Sequence, residues 1–303
     1  MINISEGRRA DVLQALARAC GAVLLDVHSD ADHHRSVFTI ASVVTDEVEA
    51  AARRLATACA DAALSLADHD GTHPRLGVID VVPFVALGPT PTAVSVDAAR
   101  AFANWIGTEL DVPAFLYDLA DPDRRTLPSA RRTAFSSRAP DAGPATPHPN
   151  LGATAVGARG VLVAVNLELV GPNIELAREV ASQLRERDGG LPGVRALGIA
   201  LPTPATAQVS MNLVDLDATG LETACVAARE HIEMLGGRVH RVELVGLVPA
   251  VVLAECSTEF LAWSGLSELD TIESRMAAAT NGPGASGGAG TGATTDGGPA
   301  PRA

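Results

Sequence analysis

At 303 residues, with 47% hydrophobic and 19% charged side chains, the chain is long enough for two globular units and too apolar to be disordered as a whole. Its net charge of −13 disfavours nucleic acid and anionic membrane surfaces as partners, because both require a basic face. Every basic side chain other than histidine is arginine, which removes Schiff-base chemistry and a phosphate-loop lysine from the candidate mechanisms. After MINISEGR, residues 8 to 20 carry helical spacing through Val12, Leu13 and Leu16, and Gly21 stops them. AVLLDVH (22 to 28) and SVFTIASVV (36 to 44) follow as strands, the second rich in β-branched residues. Thr45 is positioned to cap a long helix whose first turn carries Asp46, Glu47 and Glu49 at the favourable end of the dipole. A loop, HDGTHPR, then leads into the strand GVIDVVPFVAL, and residues 94 to 110 and VPAFLYD add a helix and a short strand. If the opening residues are also a strand, the order is βαββαβ, the split βαβ unit.

Between about 119 and 157 the chain becomes polar and proline-rich and loses periodicity, so it reads as a linker or a functional loop of unusual length. The second half repeats the logic of the first. GVLVAVNLEL is a strand, NIELAREVASQLRER a helix, VRALGIAL and AQVSMNLVDL two strands, ATGLETACVAAREHIEML a helix and VHRVELVGLV a closing strand. The expectation is an α+β protein of two similar subdomains, residues 1–157 (with 119–157 as the connecting loop) and 158–256. From 279 to 303 the glycine-rich tail cannot bury apolar area and should be disordered.

Cys20, Cys59, Cys225 and Cys256 have no paired CxxC spacing, and three lie in alanine-rich helical patterns, as buried thiols of a reducing compartment do. No basic leader precedes an apolar core and no apolar run reaches about 18 residues, so a soluble, cytoplasmic protein is expected.

Three groups of residues carry chemistry. DVHSDADHHR (26 to 35) gathers three aspartates and three histidines, but matches no zinc spacing such as HExxH. It reads as a solvated turn or a substrate-facing loop rather than a metal site. His73, followed by Pro74, sits at the mouth of an apolar strand, where a histidine can take a proton from an attacking amine and return it to a leaving one. A loop histidine bonded only to backbone would look the same, and His69 has that reading too. Arg8, Arg35, Arg75 and Arg159 lie near element ends, where a guanidinium either clamps a carboxylate or forms a surface ion pair. The run GPATPHPNLGATAVGAR (143 to 159) permits close backbone approach to a flat ligand, or serves as a hinge.

Taken together, NISEGR, LLDV, RSVFT, HPRLGVIDVVPF, LDVPAFLY, TLP, PDAGP, GATAVGAR, AQVSMNLVDL and ELVGLVP resemble the formiminotransferase family, colinearly over about residues 1 to 255. The resemblance implies transfer of the formimino group from N-formimino-L-glutamate to N5 of tetrahydrofolate as co-substrate, without metal. It implies two ferredoxin-like βαββαβ subdomains with a ligand channel between them. By motif position the catalytic histidine falls on His73, and the folate-binding segment on Gly143, Pro144, Ala145, Thr146, Pro147, His148, Pro149, Asn150, Leu151 and Gly152. Substrate contacts are expected from Asp26, His28, Arg35 and Arg75, with Asp26 or Glu6 holding the cationic amidine and arginine holding carboxylates. His28 stands where vertebrate members carry a second aspartate, His34 where they carry asparagine, and only Met1 and Ile2 precede Asn3 although the family's first strand extends further upstream. That last difference points to a misassigned start or a damaged first strand. The cyclodeaminase half of the bifunctional members is missing, so a separate protein should close the ring of the product. Alternatives are a folate-binding protein with weak or lost transfer, and a formyl transferase acting on 5-formyltetrahydrofolate and glutamate. Edge strands in two such units would allow a homodimer.

Overall fold

The computed structural model describes residues 1–71, 74–202 and 205–281. In the first half the order is β1 (Ile2–Ile4), α1 (Ala10–Cys20), β2 (Leu24–Asp30), β3 (Arg35–Ile40), α2 (Thr45–Asp61), β4 (Ile79–Phe84), α3 (Thr92–Glu109), β5 (Ala114–Asp118), α4 (Leu127–Thr133) and β6 (Thr154–Ala158). These strands make one six-stranded sheet ordered β2-β3-β1-β4-β6-β5. The pairs β2·β3, β3·β1 and β1·β4 are antiparallel, whereas β6 runs parallel to both β4 and β5. β1 is short, yet Asn3 and Ile4 find partners on both sides. α1, α2 and α3 cover one face, where Ile4, Leu16, Phe38, Leu55 and Phe102 are fully buried. α4 packs on the opposite face at the β5 end through Ala130, against Val81, Tyr117 and Ala155.

The second half runs β7 (Val163–Leu169), α5 (Ile174–Leu184), β8 (Val194–Pro202), β9 (Ala205–Leu213), α6 (Leu221–Met234) and β10 (Val239–Leu244). Its sheet is antiparallel throughout, ordered β10-β7-β9-β8. Alternation sets its two faces. Val163, Val165, Leu167, Val209, Met211 and Leu213 join α5 and α6 in a second core, leaving Asn166, Glu168, Gln208 and Ser210 on the far face.

The structure departs from the sequence reading in four places. The segment expected as a linker carries α4 and β6, and β6 lies inside the first sheet. Thr45 is the first helical residue rather than the cap; Val44 holds that position, its N–H donates to Ser42 Oγ (3.1 Å), and the Ser42 hydroxyl donates to Glu47 (2.6 Å). The chain continues past 256 as α7 (Ala250–Ala254), α8 (Thr258–Ser264) and α9 (Ile272–Asn281), with Phe260 and Leu266 completing the second core. Residues 279–281 are therefore helical, and the rest of the tail expected to be disordered lies outside the described residues.

Candidate active site

The first sheet also has two chemical faces. Asp26 lies opposite Thr39, His28 opposite Val37, Asp30 opposite Arg35, and Asn3 opposite Val37, so these side chains share the face turned away from α1 and α2. That face meets the polar face of the second sheet. His28 Nε2 lies 3.6 Å from Glu243 Oε1, and the Gln208 amide donates to His33 Nε2 at 3.0 Å. Glu243 also accepts from Asn166 Nδ2 (2.8 Å) and Arg241 (3.4 Å), and Arg241 forms a two-pronged pair with Glu168. Gln208 is 1% exposed, and its Oε1 is buried without a partner among the described residues.

Asp80, on β4, is fully buried at the centre of this layer. Its Oδ2 accepts from Arg35 Nη1 (2.6 Å) and Arg131 Nη2 (2.5 Å), its Oδ1 from the Leu76 N–H (2.7 Å), and Arg35 Nε donates to Asn3 Oδ1 (3.1 Å). Burial pushes the Asp80 carboxyl up, but the Arg35 and Arg131 guanidiniums override it and hold the group below the usual carboxylate range. Asp26 shows the reverse balance: burial raises it, and Arg275 in α9 and His28 restore only part of the loss. Asp26 is thus a half-buried acid whose charge its neighbours only partly compensate.

The loop before β4 is tied down on one side by histidines. The His69 ring stacks on His34 with centroids 4.2 Å apart, and His69 Nε2 lies 2.6 Å from Arg75 Nη1 and 2.7 Å from the His34 carbonyl. His34 itself adopts φ 47°, and its Nδ1 accepts from the Gly7 N–H (3.1 Å). Beside them is a cleft of about 290 Å³ lined by Glu6, Arg8, Arg9, His34, Leu64 and His69, among others. Glu6, offered by the sequence as an amidine holder, is occupied: Oε1 accepts from the Arg8 and Arg9 N–H groups and Oε2 from Arg9 Nε at 2.6 Å, ahead of α1.

The segment 143–152 folds against the same loop. His148 and Gly152 exchange backbone hydrogen bonds, Leu66 N–H donates to Asn150 O, and Val78 N–H donates to Leu151 O. Gly152 sits at φ 70°, where an added Cβ would lie 2.5 Å from Leu76 O, so a glycine is needed for the approach. Pro147, Pro149 and Asn150 are exposed, and Gly143 packs on Gly107.

His73 lies outside the described residues. Arg35 bonds Asp80, Arg75 is held by His69 and the Gly71 carbonyl within electrostatic reach of Asp80, Asp26 and His28 share the layer between the sheets, and the 148–152 turn borders the loop. The three histidines of the DVHSDADHHR cluster turn to Glu243, Gln208 and Gly7 respectively, and among the described residues no group of three His, Cys, Asp or Glu could hold a metal ion. Arg8 and Arg159, noted in the sequence, bond to Asp70 and to the Gly160 carbonyl (2.9 Å) respectively. Arg131 and Asp80 escaped the sequence reading. Thr126-Leu-Pro, an N-cap with proline in the first turn, was the signal for the helix that carries Arg131.

Comparison with known proteins gives the class first. Relatives named as formimidoyltransferases match most of the chain, which is an enzyme of the transferase class. The model of the formiminotransferase domain, N-terminal subdomain, matches residues 1–159 and that of the formiminotransferase domain matches 164–280; the chain belongs to the formiminotransferase family. It is 34% identical over 274 residues to the glutamate formimidoyltransferase of Streptococcus pyogenes serotype M1, covering 86% of this chain and 91% of the relative. The glutamate formimidoyltransferase of Thermoplasma acidophilum is 33% identical over 296 residues, 92% of this chain and 97% of its own. The formimidoyltransferase-cyclodeaminase of Mus musculus is 35% identical over 276 residues, 84% of this chain and 50% of the relative. Among the described residues no helix is long and apolar enough to cross a membrane.

Proposed function

We propose that this enzyme transfers the formimino group of N-formimino-L-glutamate to N5 of tetrahydrofolate, giving 5-formimidoyltetrahydrofolate and L-glutamate. One observation carries the reading: the same face of the first sheet holds a half-buried acid whose carboxyl is raised by burial, Asp26, and a separate arginine set around Asp80. A donor with a cationic amidine at one end and carboxylates at the other calls for an acid and arginines at distinct places in one site. Among the described residues Gln208 Oε1 and Arg131 Nε are buried without a partner, which fits a site for a polar heterocycle such as a pterin.

In this reading the two halves are ferredoxin-like units, about 1–157 and 158–256, and both substrates bind between their polar faces. Asp26 balances the amidinium charge, and Arg35 and Arg75 hold carboxylates. The 143–152 segment lies along the folate, with Gly152 allowing close backbone approach. His73 accepts the proton from the attacking N5 and delivers it to the departing glutamate nitrogen. Holding both reactants in one layer supplies much of the acceleration. The four free cysteines support a reducing compartment, the cytoplasm, and a separate cyclodeaminase would take the product onward.

The test is formimino transfer by wild type and His73→Ala, with tetrahydrofolate binding measured on the same samples. Turnover in the variant should fall on the order of a hundredfold or more with binding retained. Wild-type protein that binds folate but never consumes formiminoglutamate would overturn the proposal.

A further inference from the structure

Among the described residues, Arg35 and Arg131 carry more positive charge than Asp80, their shared partner, balances. Asp80 Oδ2 is shared by Arg35 and Arg131, and its other oxygen is taken by the Leu76 N–H, so one negative charge faces two positive ones in a buried setting. The Arg35 and Arg131 side chains are only 11% and 18% exposed, and Asp80 is not exposed at all. Buried charge without a counter-charge is costly, so such a cluster is stable with an anion seated on it. Arg131 spends Nη2 on Asp80 and keeps a buried Nε without a partner among the described residues, so its hydrogen-bonding capacity is not used up by that pair.

We infer that Arg131 and Arg35, seated on Asp80, form the subsite for a glutamyl carboxylate, with Arg131 setting the preference for it. The inference rests on the proposed reaction and adds a residue and a ligand group to it. Asp80 acts as a positioning residue that aims the two forks. The carboxylate has two sources, the glutamate of the donor or the glutamyl tail of the folate, and both present the same planar anion.

The experiment is isothermal titration of wild type, Arg131→Gln and Arg131→Lys with three probes: L-glutamate, tetrahydrofolate, and tetrahydropteroate, which lacks the glutamyl group. Thermal unfolding identifies folded variants, and Arg131→Lys keeps a charge on Asp80 where glutamine does not. If the donor supplies the carboxylate, L-glutamate affinity falls on the order of 30-fold in Arg131→Gln, and both pterin ligands bind as before. If the folate tail supplies it, tetrahydrofolate weakens by that factor while tetrahydropteroate and L-glutamate are unchanged. Lysine should recover only part of either loss, because it lacks the fork. The inference is overturned if folded variants bind all three probes like wild type, or if tetrahydropteroate weakens as much as tetrahydrofolate. Binding is read without turnover, so a wild type that binds glutamate through Arg131 yet transfers nothing would sink the reaction and leave the subsite standing.

Discussion

At the scale of single residues, Asp80 has the largest energetic consequence. It is buried under two guanidiniums, so Asp80→Asn removes the one charge that balances them, and a cost of about 3–5 kcal/mol is expected in denaturant unfolding. Replacing Arg131 by methionine in the same chain should recover part of that loss, because it removes one of the stranded cations. Nothing in VIDVVPF distinguishes this aspartate from one on a solvated strand; its weight depends on Arg131, from a segment whose periodicity is lost. Arg35 and Arg75 were legible as arginines near element ends and Asp26 and His28 as members of the DVHSDADHHR cluster; Asp26, His28 and Arg35 share one face of the first sheet, and Arg75 lies on the loop before β4. Glu6 was equally legible and served another purpose, because a carboxylate two residues before an N–H pair is drawn into holding that backbone.

At the scale of elements, most of the helices and strands followed from alternation and 3.6-residue spacing. β6 did not, for a physical reason. Thr-Ala-Val-Gly-Ala is buried on both faces between two parallel neighbours, so it shows no alternation, and its small residues carry little β propensity. Gly157 is required there, since a Cβ would lie 2.5 Å from the Tyr117 ring. The turn just before it gives a sharper test. Gly152→Ala places a methyl against Leu76 O at positive φ, so the 148–152 turn should move off the 76–78 strand entrance. Tetrahydrofolate affinity is expected to drop about tenfold, with the melting temperature lowered by only a few degrees. An unchanged affinity in a folded Gly152→Ala protein would remove this turn from the folate site.

At the scale of the whole molecule, the charge pattern fixes how the fold responds to acid. Burial works against the Glu6 and Asp80 charges, but hydrogen bonds from the Arg8 and Arg9 backbone and the guanidiniums at Asp80 hold both carboxyls below their ordinary values. Below about pH 4 the unfolded chain therefore takes up protons that the folded chain refuses, and stability falls as pH drops through that window. His34, lowered chiefly by burial, starts the decline earlier, from about pH 6.5 downward. Asp26, raised by burial, acts oppositely just above pH 4 and stands alone against three. Melting temperature measured against pH should thus decline in two stages, and Glu6→Gln should flatten the lower one. The repeated βαββαβ order was visible in the sequence, but the meeting of two polar sheet faces was not, because periodicity reports which side of a strand is wet and not what lies across from it.

The place of β6 in the first sheet bears on how the chain matures during synthesis. Among the described strands β5 pairs with β6 alone, and β6 ends 40 residues after β5 does. At about 5–20 residues per second, β5 waits some 2–8 s after leaving the ribosome before its partner exists. During that interval the β5 side of α3 has no completed sheet to cover. The excursion that closes the gap also delivers α4, so the guanidinium of Arg131 reaches Asp80 as the sheet is sealed. The nascent chain gains its full complement of positive charge at the site in the last step of building that half.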